Sequence, residues 1–216
     1  MEEPAAARSP ATVVNAILAA NVIVFLLWQW PGVSTAVMAE HFLISWAHLA
    51  AGHVWTLVTA VFSHNALVHL FVNMIVLVSF GPALERVMGS GRFVLFYLLA
   101  GATGSLAHAV VSNFLIGSPA QAALGASSAL AGVLLFFSLA YPKARVLFFF
   151  VIPVPALVAA LLFVGLDIWG LTMQIEGGGL PIGHGAHLGG ALTGMLYYIA
   201  FRRRLHLHGP GAARHA

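Results

Sequence analysis

The chain has 216 residues, of which 61% are hydrophobic and only 7% are charged. Its mean hydropathy of +0.96 is far too high for a soluble domain of this size, so the sequence predicts an integral membrane protein. The isoelectric point of about 9.8 does not indicate a nucleic-acid partner, because the nine basic residues are scattered through short loops. Without cysteine, the chain offers no disulfide, thiolate metal site or cysteine nucleophile.

Six apolar segments are separated by loops that carry proline, glycine or charge. Each has 16 to 24 residues, near the length that crosses a bilayer as a helix. They are Thr12–Gln29, Ala66–Leu84, Phe93–Ile116, Ala126–Tyr141, Val146–Trp169 and His184–Phe201. The predicted fold is an all-α membrane protein, a six-helix bundle over residues 12–201 between a short N-terminal tail (1–11) and a basic tail (202–216). The start of the chain lacks the basic residues and cleavage site of a signal peptide, so the first segment is expected to be retained as a span.

The segment Trp30–Asn65 between the first two spans is too polar to cross the membrane. We expect a long interfacial loop with short helical pieces, in which Trp46 and Trp55 lie at the level of the lipid headgroups. No internal repeat is visible in the sequence, which weighs against a channel or transporter built from duplicated halves.

With six spans, both termini and all nine basic residues fall on one side of the membrane. The opposite side carries only the acidic residues Glu40, Asp167 and Glu176. By the positive-inside rule, the sequence predicts a multi-pass protein of the cell membrane with both termini in the cytoplasm.

Four polar residues are predicted to lie at similar depth in the membrane, where such side chains are costly and usually functional. Ser127 and His187 each lie fourteen residues from the predicted cytoplasmic end of their span, which is about 21 Å along a helix. In span two, His69 and Asn73 lie fifteen and eleven residues from the cytoplasmic end, which is about 22 and 16 Å along the helix.

This set of residues predicts serine-hydrolase chemistry. His187 can act as the base that makes Ser127 a nucleophile. Asp167 is the only aspartate and is placed near the outer end of span five, so we expect a Ser/His dyad without a carboxylate. Ser127 begins a helix, whose free N–H groups suit an oxyanion, and His69 and Asn73 are one turn apart, where both can donate to the same charge.

Each residue also has a purely structural interpretation. A serine or histidine in a membrane helix often serves helix packing or interhelical hydrogen bonding, and the glycines around His187 favour close packing of spans four and six. The histidines of the first loop and of span three match no H-E-x-x-H or comparable ligand pattern. We therefore expect no metal, cofactor or nucleotide.

Four motifs, in order and on the expected spans, resemble the rhomboid intramembrane serine proteases, in the basic six-span prokaryotic form. HNALVHLFVN is similar to the family's span-two motif, FGPALERVMGSGRF to its cytoplasmic turn, GASS to its nucleophile motif, and GAHLGGALTG to its histidine motif. The resemblance implies that Ser127 and His187 are catalytic and that His69 and Asn73 stabilise the oxyanion. It assigns supporting roles to His64, Gly125, Glu85, Arg86, Gly190 and Gly194.

At three positions the chain departs from the pattern of the family. Thr56 follows Trp55 where the family typically has arginine, and Ala131 stands where many members stack an aromatic ring on the catalytic imidazole. Ser128 follows Ser127 in place of glycine, so either serine could attack, and the G-x-S spacing favours Ser127. Some other group is therefore expected to orient His187.

The resemblance implies an endopeptidase that cleaves transmembrane protein substrates near the outer face of the lipid bilayer. Substrates are expected to enter sideways past span five, whose cytoplasmic half Pro153 and Pro155 weaken, or from above. The main alternative is a catalytically inactive rhomboid-like scaffold that binds client helices, although such relatives typically lack the serine and the histidine.

Overall fold

The computed structural model describes residues 12–148 and 151–205. The two tails beyond these ranges, with Arg8 and Arg214, lie outside the described residues. The helices are α1 (Thr12–Gln29), α2 (Thr35–Phe42), α3 (Trp46–Ala50), α4 (Thr56–Thr59), α5 (Leu67–Met88), α6 (Ser90–Phe114), α7 (Ser127–Ala140), α8 (Ala156–Ile175) and α9 (His184–Leu205), and a 3-10 turn, Ala60–Phe62, follows α4.

Apolar helices account for most of the described structure, which confirms the prediction of an all-α membrane bundle. Within the described ranges, α1, α5, α6 and α8 are long and apolar enough to cross a membrane, and α7 is a shorter apolar helix of 14 residues. Helix α9 has 22 residues and ends in a run of arginines. A count of six crossings remains a prediction.

The segment between α1 and α5 contains α2, α3, α4 and the 3-10 turn, as expected for a loop with short helical pieces. It is tied to the chain just before α7, because Ile44 and Ala123 exchange both backbone hydrogen bonds, at 2.9 and 2.8 Å. Trp46 packs edge-on against Phe114 at the end of α6, with ring centroids 4.9 Å apart. This region therefore covers one end of the bundle beside α7.

The expected start of the fifth span at Val146 is wrong. Residues from Arg145 onward form an antiparallel hairpin of strands β1 (Arg145–Phe148) and β2 (Ile152–Pro155), and α8 begins only at Ala156. Two prolines in β2 explain the difference, because proline has no N–H and disfavours helical backbone in the residue before it. The prolines therefore precede the span and do not weaken it.

Helices α7 and α9 pack closely because glycines face the partner backbone. A Cβ added at Gly190 would lie 1.8 Å from the carbonyl oxygen of Ser128, and one at Gly194 would lie 2.3 Å from that of Gly132. Small residues allow such an approach between helices in lipid. Phe96 of α6 and Phe136 of α7 are fully buried, and their rings contact each other and Tyr197 of α9.

Glu85, near the end of α5, holds the beginning of α1. Its carboxylate accepts hydrogen bonds from the backbone N–H groups of Val13 and Val14, both at 3.0 Å, and from the hydroxyl of Ser90 at 2.6 Å. The first N–H groups of a helix have no intrahelical partner, so a carboxylate there stabilises the helix. Arg86 is exposed, and Thr56 is buried with its hydroxyl donating to the carbonyl of His53.

Candidate active site

Ser127 and His187 meet at the beginnings of α7 and α9. The His187 Nε2 atom lies 2.9 Å from the Ser127 hydroxyl oxygen, although sixty residues separate them in the chain. Ser127 is the first residue of α7 and lies two residues after Gly125, which has φ +119°. Gly125 also makes room for a ring, because a Cβ there would lie 2.6 Å from His69 Cε1. The local backbone and the packing of α7 on α9 thus place the hydroxyl on the imidazole.

Ser128 faces a different neighbour. It is buried, and its Cβ would lie 2.5 Å from a Cβ added at Gly104 of α6. This contact directs its side chain toward α6, whereas the Ser127 hydroxyl is hydrogen-bonded to His187. The geometry therefore distinguishes the two adjacent serines.

The expected absence of a carboxylate beside the histidine is wrong. Asp167 Oδ1 lies 3.0 Å from His187 Nδ1 and 2.7 Å from His184 Nδ1. The aspartate lies deeper than expected because α8 extends to Ile175, which puts Asp167 about 12 Å from the end of the helix. Ser127, His187 and Asp167 therefore form a continuous hydrogen-bonded chain across α7, α9 and α8.

Phe163 of α8 makes the aromatic contact with His187 that Ala131 cannot make. Its ring lies beside the His187 imidazole, with centroids 5.5 Å apart and planes inclined by 30°. Ala131 is buried on α7 and has no side chain that can stack. An aromatic contact with the histidine is thus present, but it comes from α8.

His69 and Asn73 lie one turn apart on α5, on the wall that faces Ser127. The Asn73 amide donates one hydrogen bond to the carbonyl oxygen of His69, at 2.9 Å, which leaves its second N–H available. Together with Ser127 and His187, they line a cavity of about 590 Å³. The apolar part of its lining includes Val72, Val76, Leu134 and Phe163.

His64 contacts both the residue before Ser127 and the ring of His69. It is fully buried, its Nε2 accepts from the N–H of Ala126 at 3.4 Å, and its ring packs edge-on against His69 with centroids 4.8 Å apart. Burial lowers the pKa of His64 to about 3, and repulsion from His69 acts in the same direction. The neutral ring can therefore accept a hydrogen bond next to the nucleophile across the ordinary pH range.

Asp167, His184 and His187 also offer ligand atoms that lie within 4.8 Å of one another. Such a set is of the kind that binds zinc. In the structure, however, both Nδ1 atoms share Asp167 Oδ1, and Nε2 of His187 contacts Ser127. A metal bound here would therefore compete with the contacts that orient His187.

Taken together, the fold and the site define a helical membrane protein in which a serine hydroxyl contacts an imidazole at the wall of a cavity. The profile of the rhomboid domain matches residues 51–204, and the chain belongs to the rhomboid family. It is 36% identical over 196 residues to Rhomboid protein 1, mitochondrial, of Saccharomyces cerevisiae, covering 87% of this chain and 53% of that protein. It is 32% identical over 200 residues to the Presenilin-associated rhomboid-like protein, mitochondrial, of Homo sapiens, covering 89% and 48%.

A bacterial relative matches a shorter part. Rhomboid protease GluP of Bacillus subtilis is 42% identical over 95 residues, which cover 44% of this chain and 18% of that protein. The chain spans about half the length of the two mitochondrial relatives.

Proposed function

We propose that the chain is an intramembrane serine endopeptidase in which Ser127 is the nucleophile and His187 is the base. The observation that carries the proposal is the 2.9 Å contact between the Ser127 hydroxyl and His187 Nε2 inside the cavity of a membrane bundle. A serine hydroxyl becomes an effective nucleophile when a neighbouring imidazole takes its proton.

The reaction follows from this contact. As the Ser127 oxygen bonds to the carbonyl carbon of the scissile peptide, its proton moves to His187 Nε2. The imidazolium then returns that proton to the amine nitrogen as the carbon–nitrogen bond breaks, leaving an ester on Ser127. Water attacks the ester with His187 again as the base, which restores the serine hydroxyl and releases the new carboxyl end.

The negative charge on the carbonyl oxygen needs donors that are already in place. His69 and Asn73 supply them from α5, and the free N–H groups at the start of α7 lie beside Ser127. Asn73 is only 5% exposed, so its interaction with a developing charge is stronger than it would be in bulk water.

The substrates we propose are transmembrane segments of other proteins. The chain is apolar on its outer surface, and residues of both α5 and α8 line the cavity, so a substrate can approach sideways from the lipid between these helices. A helix buries its carbonyl groups, so the scissile segment must be extended when it reaches Ser127. The family resemblance favours small residues at the cleavage point.

The distribution of basic residues supports an orientation with both termini on the cytoplasmic side and the active site nearer the outer face. The relatives from Saccharomyces cerevisiae and Homo sapiens are named as mitochondrial, and the Bacillus subtilis relative is bacterial. From the distribution of basic residues, we propose that the chain lies in the cell membrane with both termini in the cytoplasm.

Cleavage of a reconstituted transmembrane substrate tests the proposal. Ser127→Ala is expected to abolish cleavage, and the matched variant Ser128→Ala is expected to keep most of it because Ser128 packs against α6. Cleavage that survives in the Ser127 variant would refute the assignment. Binding of client helices without cleavage in the wild type would instead favour the inactive scaffold.

A further inference from the structure

We propose that Asp167, His184 and His187 form a binding site for a zinc ion, and that zinc bound there reversibly inhibits the protease. The inhibition rests on the proposed function, because it requires His187 to be the base, whereas the binding of zinc does not. The ion takes no part in the cleavage reaction. His187 lines the cavity, through which an ion can reach the site from water.

The first observation is the set of donor atoms. One carboxylate oxygen and two imidazole nitrogens, from the packed helices α8 and α9, lie within 4.8 Å of one another. Asp167 Oδ1 is 2.7 Å from His184 Nδ1 and 3.0 Å from His187 Nδ1. Around tetrahedral zinc, neighbouring donors are about 3.4 Å apart, so these two pairs need to open by less than about 1 Å. Two histidines, one carboxylate and a water molecule form a ligand set that zinc accepts.

The second observation is a buried acceptor atom. Asp167 is only 4% exposed, and among the described residues its Oδ2 atom has no hydrogen-bond partner. A buried carboxylate oxygen without a partner is costly, and its lone pairs are available to a cation. In the part of the chain that the structure describes, the ion-pair partners of this carboxylate are the two histidines, so no lysine or arginine competes with a metal ion for it.

The third observation is His184, which the proposed cleavage reaction does not use. It lies three residues before His187 on α9, and Gly170 of α8 makes room for its ring, because a Cβ there would lie 2.3 Å from His184 Nε2. Its Nδ1 atom points at the same carboxylate oxygen as that of His187. A serine–histidine pair needs no second imidazole, but a zinc site does, because one histidine and one carboxylate supply too few donors.

Zinc on Nδ1 of His187 would change what the other ring nitrogen can do. A neutral imidazole carries one proton, and the metal takes the lone pair of Nδ1, so the proton must then lie on Nε2. That nitrogen becomes a donor and can no longer accept the proton of the Ser127 hydroxyl, 2.9 Å away. The proton only exchanges one nitrogen for the other, so none is released overall. Removal of zinc restores the base.

The first test measures binding and inhibition separately. Purified full-length protein, treated with EDTA and then freed of it, is titrated with zinc chloride by calorimetry, and cleavage of a transmembrane substrate in liposomes is measured with and without zinc. His184→Gln is compared with the wild type and with His53→Gln, a control histidine in the loop between α1 and α5. Each protein is compared with itself, so a changed basal rate does not affect the ratio of its two rates.

In the wild type and His53→Gln, saturating zinc is expected to lower kcat/KM at least about 10-fold, and EDTA should restore it. His184→Gln should bind zinc at this site at least about 10-fold more weakly and should lose the inhibition, because a metal ligand is missing. Magnesium should not inhibit, because it prefers oxygen donors. Equal zinc affinity and equal inhibition of the wild type and His184→Gln would overturn the proposal.

A measurement on the wild type covers the case in which His184→Gln fails to fold. Nitrogen NMR of isotope-labelled histidine, with the His187 signals assigned by their loss in His187→Ala, should show those signals shift as zinc is added. Unchanged His187 signals at saturating zinc would overturn the proposal. A wild type that binds zinc at His187 but cleaves nothing without it would refute the protease function and leave the zinc site standing. A wild type that cleaves equally well with zinc would overturn the inhibition alone.

Discussion

Phe163 and Asp167 lie one turn apart on α8, and both side chains contact the imidazole of His187 on α9. Residues four apart on a helix share a face, so a single helix supplies both the aromatic contact and the hydrogen-bond acceptor. The position of α8 therefore controls the orientation of His187. Because α8 also borders the cavity, movement of this helix would affect access and catalysis together.

Removal of the Phe163 ring should lower the rate of the reaction. The contact between Phe163 and His187 is of a kind worth about 0.5 to 1.5 kcal/mol, so Phe163→Ala is expected to reduce kcat by roughly 2- to 12-fold. Leu162→Ala, at an exposed neighbouring position, is the control for lost apolar surface on α8. Equal effects of the two variants on kcat would show that the ring does not orient His187.

His69 and Asn73 should act on the chemical step. Their donors strengthen as charge develops on the carbonyl oxygen, so His69→Ala and Asn73→Ala are each expected to lower kcat by about 10²- to 10³-fold with little change in KM. The labelling of Ser127 by a fluorophosphonate should fall less than peptide cleavage. If either variant unfolds earlier but keeps its intrinsic rate, that residue serves packing and not the oxyanion.

Larger side chains between α7 and α9 should separate Ser127 from His187. A Cβ at Gly190 or Gly194 would collide with a backbone carbonyl of α7, and overpacking of this kind typically costs about 1 to 3 kcal/mol. Gly190→Ala and Gly194→Ala are expected to lower the melting temperature and the activity together. Gly165→Ala is the control, because a Cβ there meets nothing within 4 Å. Full activity of Gly190→Ala would contradict the close packing.

His64 should make the protein less stable in acid. Its pKa is about 3 in the folded state, against an ordinary value of 6.5, so below about pH 6.5 the unfolded chain binds a proton that the folded chain does not. Above about pH 6.5 the ring is neutral in both states and does not reduce stability. As the pH drops below that value the free energy of unfolding decreases, by roughly 2 kcal/mol at about pH 5.

The variant His64→Gln tests this linkage, because glutamine does not titrate and its carbonyl oxygen can still accept from Ala126 N–H. Between about pH 8 and pH 5, the melting temperature of the wild type should fall more than that of the variant. Parallel melting curves for the two proteins would show that His64 does not contribute to the acid sensitivity.

Much of the membrane fold could be predicted, because the lengths of the apolar segments and the composition of the loops between them determine which segments form helices. The bounds of α1 agree with the expected first span, and the glycines around His187 correctly indicated close packing of α7 and α9. The equal depth predicted for Ser127 and His187 agrees with their contact in the structure, although it does not determine which way the two side chains face.

The start of α8 could not be found from hydrophobicity, because the hairpin before it is as apolar as a span. Weighing Pro153 and Pro155 as helix breakers would have moved the start to Ala156, and with it the depth of Asp167. The contacts of Asp167 and Phe163 with His187 depend on how α8 is rotated against α9, which the sequence of one helix does not determine. The four-residue spacing between them was the available signal.

The roles of Ser127 and His187 are tested most directly by labelling the folded protein in a bilayer with a serine-directed fluorophosphonate, followed by mass spectrometry of the modified peptide. The label is expected on Ser127; Ser127→Ala should not be labelled, Ser128→Ala should be labelled like the wild type, and His187→Ala should react far more slowly. Labelling of another serine, or equal reactivity of the wild type and His187→Ala, would contradict these roles.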